Sequence, residues 1–145
     1  MLSLFNRIAM DFRKVFGIAC AVAALTLCLA ADGSWLTHVP DADRVRVNPY
    51  VGQAEAIGAG KKVFEDHCSK CHGDDALGRR KKPSLRSTRV QEAKDGEIFW
   101  LLRNGNLRKG MPTWAALPEP TRWQIIAYVK SLGAASLLER VMAPE

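Results

Sequence analysis

Apolar and polar positions alternate along this chain in ways that change sharply from one segment to the next. From Val15 to Ala31 no charge interrupts VFGIACAVAALTLCLAA, and Asp32 and Gly33 end the run. Residues 32–52 hold two prolines, three acids and no sustained period, which predicts a surface-hugging or flexible lead-in. From about Gln53, Ala56, Ile57, Gly60, Val63 and Phe64 recur at the spacing of one helical stripe, which runs into His67 and Cys68. Residues 73–94, with two glycines, a proline and seven basic residues, read as one long loop. Asp95 then looks like the N-cap of a short helix carrying Ile98, Phe99, Leu101 and Leu102, stopped at Asn104-Gly105. A second loop, punctuated by Gly105, Gly110 and Pro112, leads to the last strong pattern, which begins between Pro118 and Thr121. There Trp123, Ile126, Ala127 and Lys130 lie along one side, with Ile125, Tyr128, Val129 and Leu132 beside them. Thr121 and Gln124 have capping-box spacing, and Gly133 is the expected C-terminal stop. No period-2 strand and no internal repeat is visible. The prediction is an all-α domain of three or more helices within about residues 53–134.

The first segment carries an address. Arg7, Arg13 and Lys14 precede the apolar run, diluted only by Asp11, and small residues close it, as in a secretory signal. Cys28 and Ala30 fit the small positions before a cut after Ala30. An uncleaved anchor is the alternative, since seventeen residues sit at the lower limit for spanning a bilayer. Neither Cys20 nor Cys28 has the neighbours of a lipoprotein cysteine. The expected organisation is a signal segment at 1–30, a lead-in at 31–52, a folded domain at 53–134 and a tail at 135–145, with the chain exported to the periplasm.

Composition narrows the classes. With 145 residues, 48% apolar and 25% charged, the chain suits one compact domain and excludes a disordered, collagenous or coiled-coil protein. The whole chain carries a formal charge of +6. Removing residues 1–30 also removes Cys20 and Cys28, leaving Cys68 and Cys71.

Those two belong to Cys68-Ser69-Lys70-Cys71-His72, a C-x-x-C-H sequence of the kind that attaches c-type haem. Two thiols three positions apart on a helical turn can each bond a haem vinyl, and the next residue presents its imidazole to the iron. A thioredoxin-like pair would follow a strand in an α/β pattern, which is missing. A zinc site would need two more ligands, and besides His72 the exported part offers only His38 and His67. For the opposite face of the iron the candidates are His38, His67, Met111 and Met142. His67 is too close to Cys68 to wrap round, His38 lies in the lead-in, and Met142 lies in the tail. Met111, in Gly110-Met111-Pro112, is where a loop presents one side chain to a buried plane, so it is the expected sixth ligand.

With the C-x-x-C-H early in the domain, Met111-Pro112-Thr113-Trp114 and the closing helix WQIIAYVKSL, residues 53–134 resemble the class I cytochrome c family. That resemblance implies an all-α cytochrome c fold around one haem c, bound covalently through two thioethers. It implies that first and last helices cross with a small residue meeting an aromatic, here Gly60 and Phe64 against Tyr128. It also implies that the carbonyl of Pro83 accepts the second ring N–H of His72. Class II cytochromes are less similar, because their motif lies near the C-terminus. Asn48-Pro49 and Lys109-Gly110-Met111-Pro112 further resemble small cytochromes that accept electrons from quinone-cofactor alcohol dehydrogenases.

Iron held by histidine and methionine has no open position, which points to a carrier of single electrons and away from an enzyme. The soft thioether and an apolar wall expected from Ile57, Phe64, Phe99, Leu102, Trp114, Trp123 and Ile126 both favour the ferrous state. The alternatives are a haem enzyme or gas- or peroxide-responsive protein with a displaceable sixth ligand, and a cytochrome subunit of a larger redox complex. Arg79, Arg80, Lys81, Lys82, Arg86 and Arg89 crowd eleven positions, with no acid between Ala76 and Gln91. Such a run is either a solvated loop or a docking face for an acidic redox partner. Nucleic acid is not expected for an exported chain, and membrane only if the N-terminal segment stays as an anchor.

Overall fold

A computed structural model describes residues 35–142, with side chains to residue 133. The signal or anchor segment, Cys20 and Cys28 among it, lies outside the described residues. Two units divide the chain. The first contributes residues 35–38, which form a single 3-10 turn, Leu36–His38. The second begins at Val39 and contains every other element.

That second unit is helical: α1 (Asp41–Arg44), α2 (Ala54–His67), α3 (Ser69–His72), α4 (Thr88–Glu92), α5 (Asp95–Asn104) and α6 (Glu119–Met142), with a 3-10 turn at Leu107–Lys109. Among the described residues there is no strand, only an isolated bridge between Asn106 and Met111. The all-α reading holds, and among these residues no helix is long and apolar enough to cross a membrane.

The principal contact is the crossing of α2 and α6. A Cβ on Gly60 would lie 2.0 Å from the carbonyl oxygen of Gln124, so only glycine lets the two backbones meet. One turn on, the Phe64 and Tyr128 rings meet with centroids 5.3 Å apart. The expected contact is therefore split: the aromatic pair packs ring on ring, while the glycine touches backbone rather than the tyrosine. Phe64, Ala76, Tyr128 and Leu132 form a buried cluster, joined at its edge by Ile57, Leu85 and Cys68.

Four local expectations change. Asp95 is the first residue of α5, not its cap. Lys94 occupies the N-cap, and its N–H donates to Glu97 Oε2 at 2.8 Å. The loop between α3 and α5 contains a helix, α4, that periodicity over five residues does not reveal. Thr121 is already the third residue of α6, so its capping-box spacing with Gln124 is unused; Pro120 stands in the first turn, where proline loses no helical hydrogen bond. Gly133 does not stop α6, which continues to Met142. A Cβ there would come within 2.2 Å of Gln91 Oε1, so this glycine makes room for a neighbour instead of turning the chain. Gln91 in turn donates to the carbonyls of Leu85 (2.7 Å) and Val129 (3.0 Å), docking α4 on α6.

The lead-in hugs the surface from Val39 onward. Gly96 lets the backbone at Asp43 approach α5, where a Cβ would stand 1.9 Å from the Asp43 carbonyl. Arg44 pairs with the buried Glu97 at 2.5 Å, and Arg103 with Asp43 at 2.9 Å. Arg46 lies 4.2 Å over the Phe99 ring, which stacks on Trp123 at 4.1 Å. Buried Asn48 donates to the carbonyl of Trp123 at 3.0 Å. Of the expected apolar wall, Phe64, Phe99, Leu102, Trp123 and Ile126 are buried, and Ile57 and Trp114 half-buried. Phe99 and Trp123 spend their faces on each other and on the guanidinium of Arg46, so that pair belongs to the joint between lead-in, α5 and α6.

Candidate haem site

Helix α2 delivers the motif. Cys68 caps α2 through its N–H to the Phe64 carbonyl, 2.8 Å, and its own carbonyl accepts from Cys71 (3.1 Å) and His72 (3.0 Å). That turn is α3, so both sulfurs and the imidazole spring from one coil of chain. Ser69 Oγ donates to the Glu65 carbonyl at 2.8 Å and fastens the turn to α2. Both thiols are free of any disulfide. Burial against the Phe64 cluster, reinforced by Cys71, pushes the Cys68 thiol up to about 11, which keeps it protonated at neutral pH.

After His72 the chain doubles back on itself. Gly73 ends α3 at φ +81°, the Gly78 N–H donates to the His72 carbonyl at 2.7 Å, and the Leu85 N–H to the Ala76 carbonyl at 2.8 Å. Two residues with side chains, Ala76 (φ 60°) and Arg80 (φ 55°), adopt the left-handed region in this loop. Each costs on the order of 1 kcal/mol, strain that is kept where a fold needs one loop shape. The result is that the Pro83 carbonyl stands 3.0 Å from His72 Nδ1. A donated Nδ1–H fixes the tautomer and leaves the lone pair on Nε2. His72 titrates below its ordinary value, chiefly through burial, with the Lys82 charge acting the same way and the Pro83 bond partly offsetting both. Neutral imidazole is the form that ligates metal.

Met111 sits half-buried in a small, closed loop. Its N–H donates to the Asn106 carbonyl at 3.0 Å, and its carbonyl accepts from the Asn106 N–H at 2.9 Å. Gly105 and Gly110, both at φ +72°, make the two tight corners. Beyond it, the Trp114 N–H donates to the Leu102 carbonyl (2.8 Å) and Arg122 Nη1 to the Ala115 carbonyl (3.1 Å), fixing the loop between α5 and α6. Lys82, next to Pro83, donates to the carbonyls of Lys109 (2.9 Å) and Gly110 (3.3 Å). Cys68, Cys71, His72 and Pro83 are thus brought together in one turn and its returning loop, and Lys82 joins the Met111 loop to them. Pattern reading placed Lys82 only in the basic run and did not single out Asn106, because the roles of both lie in contacts rather than in a motif.

His67 is exposed, with its ring 5.4 Å from that of Trp114. His38 belongs to the first unit, and the side chain of Met142 lies outside the described residues. Among the described residues no trio of His, Cys, Asp or Glu side chains converges as a metal cluster. Two unpaired thiols one turn apart, with an imidazole whose second nitrogen is already committed, fit a covalently bound haem.

Residues 55–129 match the family model described as "Cytochrome C oxidase, cbb3-type, subunit III", just over half of the chain. The chain belongs to that family. This c-type cytochrome is 38% identical over 79 residues to the "Cbb3-type cytochrome c oxidase subunit FixPc" of Rhizobium leguminosarum bv. viciae, covering 52% of this chain and 27% of the relative. It is 34% identical over 85 residues to the FixP subunit of Rhizobium meliloti (strain 1021), covering 56% and 29%. The chain therefore spans less than a third of the length of these relatives. Among solved structures it is similar to cytochrome CL from the marine methylotrophic bacterium Methylophaga aminisulfidivorans MPT, with a TM-score of 0.52, 26% identity and coverage of 68% of this chain and 72% of that one. The cytochrome has the all-α cytochrome c fold of a monohaem class I protein, with haem c bound covalently.

Proposed function

We propose that Cys68 and Cys71 hold haem c through two thioethers, that His72 and Met111 ligate its iron from opposite faces, and that the protein passes single electrons between redox partners outside the cytoplasm. The observation that carries this reading is the His72 Nδ1–Pro83 contact beside two unpaired thiols, because it presets one nitrogen for metal. When bound, the haem supplies a one-electron ferric–ferrous couple. The chain supplies the rest: Pro83 orients the imidazole, the Asn106 bonds hold the Met111 backbone, and the Phe64 cluster packs against Cys68. On this reading residues 1–30 export the chain and are removed after Ala30, residues 31–52 lead in, and the domain at 53–134 precedes a tail at 135–145.

The partners we propose are redox proteins with an acidic docking surface, met by Arg79, Arg80 and Lys81, all exposed beside the Pro83 loop. Relatives named as subunits of a cbb3-type oxidase support membership of a larger redox complex as the second reading. The Asn48-Pro49 and Lys109–Pro112 segments support a dehydrogenase as donor.

Oxidised and reduced spectra of the protein, made in an exporting host with haem-attachment machinery, test the site. Wild type should show covalent low-spin haem with a methionine–iron band. Met111→Ala should lose that band, turn high-spin and bind added ligands. A spectrum unchanged in Met111→Ala would remove the carrier reading's main support.

A further inference from the structure

We propose that Lys82 is a positioning residue that ties the His72 loop to the Met111 loop and so sets how firmly Met111 stays on the iron. The inference rests on the ligand assignment proposed above.

Lys82 differs from its neighbours in the basic run. Arg79, Arg80 and Lys81 are exposed, whereas Lys82 is half-buried and commits its ammonium to two backbone oxygens of another loop, those of Lys109 and Gly110. Ordering so long a side chain costs rotamer freedom, which charge-assisted bonds to two carbonyls can offset. Both ends of the tie bear on a proposed ligand. Pro83, the next residue, accepts from His72, and Lys109-Gly110 directly precedes Met111. The receiving corner is shaped for the lysine: at Gly110 a Cβ would approach Nζ to 2.9 Å, and its φ of +72° turns the chain there. Backbone bonds of Asn106 to Met111 and Lys109, and of Leu107 to Gly110, close residues 106–111 into one small loop, so displacing Met111 with its backbone carries the Lys109 and Gly110 carbonyls along. That movement must draw two carbonyls off a charged donor. Loss of the ammonium should therefore ease departure of the methionine without breaking the thioethers or the His72 Nδ1–Pro83 bond.

The test uses haem-loaded wild type, Lys82→Met, Lys82→Gln and Lys81→Met, with Lys82→Arg as the conservative variant. Imidazole is mixed with each oxidised protein, and loss of the methionine–iron band is followed in time. Lys82→Met and Lys82→Gln should lose the band about tenfold faster, the worth of one charged hydrogen bond. Lys82→Arg should restore most of the wild-type rate. Lys81→Met, which removes the same charge one residue away without these bonds, should match wild type. Equal rates for wild type and both Lys82 truncations overturn the proposal, as does equal acceleration by Lys81→Met, which would make the effect one of charge alone. A wild-type spectrum without the band overturns it together with the ligand assignment. A normal band with an unaffected Lys82→Met overturns it alone.

Discussion

Glu119 shows how a single side chain reports on the packing around it. Its carboxylate accepts from Trp123 Nε1 at 3.2 Å and pairs with Arg46, and these contacts hold its pKa below the ordinary carboxylate value. A carboxylate with a depressed folded pKa contributes stability that is fully present above its unfolded pKa of about 4.3 and is lost as pH falls through the folded value. Glu119→Gln should therefore lower the unfolding free energy at pH 7, read from urea titrations, by roughly 0.5 kcal/mol for a pair this exposed. The gap to wild type should narrow as pH falls below that unfolded value. A constant gap across that range would mean the carboxylate's charge plays no part. At this scale the sequence was most informative where chemistry is written as a motif, as in Cys68-x-x-Cys71-His72 and the expected contact of Pro83 with His72. It did not reveal the ties made by Lys82 and Arg46, because the carbonyls, rings and carboxylate they reach lie 27 to 77 residues away and no local pattern encodes them.

Between elements, the decisive contact is backbone on backbone. Gly60 has no spare space against Gln124 and Ile125, and α6 cannot retreat without parting Phe64 from Tyr128. Gly60→Val should destabilise the holoprotein by more than about 3 kcal/mol, in the range of severe core overpacking, or prevent its accumulation. A thermal midpoint within a degree of wild type would refute the crossing as described. Periodicity located α2, α5 and α6 because each turns a clear apolar stripe inward. It misjudged the start of α5 and the end of α6 for a physical reason: Gly133 can be a stop or a niche, and Asp95 a cap or a first-turn acid. Which one applies depends on Gln91 and Lys94, whose side-chain and backbone contacts form only in the fold.

For the whole molecule, charge is divided by face. Opposite charges pair along the lead-in, where Arg44, Arg46 and Arg103 meet Glu97, Glu119 and Asp43. In the Pro83 loop Arg79 reaches only the exposed Asp74 at 3.1 Å, while Arg80 and Lys81 stand exposed. An acidic partner should be met more often at low salt, with the rate falling as ionic strength rises. Replacing Arg79, Arg80 and Lys81 with Gln should slow reduction by such a partner about tenfold at low ionic strength and flatten its salt dependence, as followed by stopped-flow. An unaltered salt dependence would retire the loop as a docking face.

Glu97 deserves a last consequence, since its two oxygens serve different masters. One receives the N–H that begins α5, and the other receives Arg44 of the lead-in, from inside a site 6% exposed. Water entering to free either oxygen solvates both. Fraying of the helix start and peeling of the lead-in thus become one cooperative opening, and residues 39–48 share the fate of α5 instead of melting ahead of it as a loose end would.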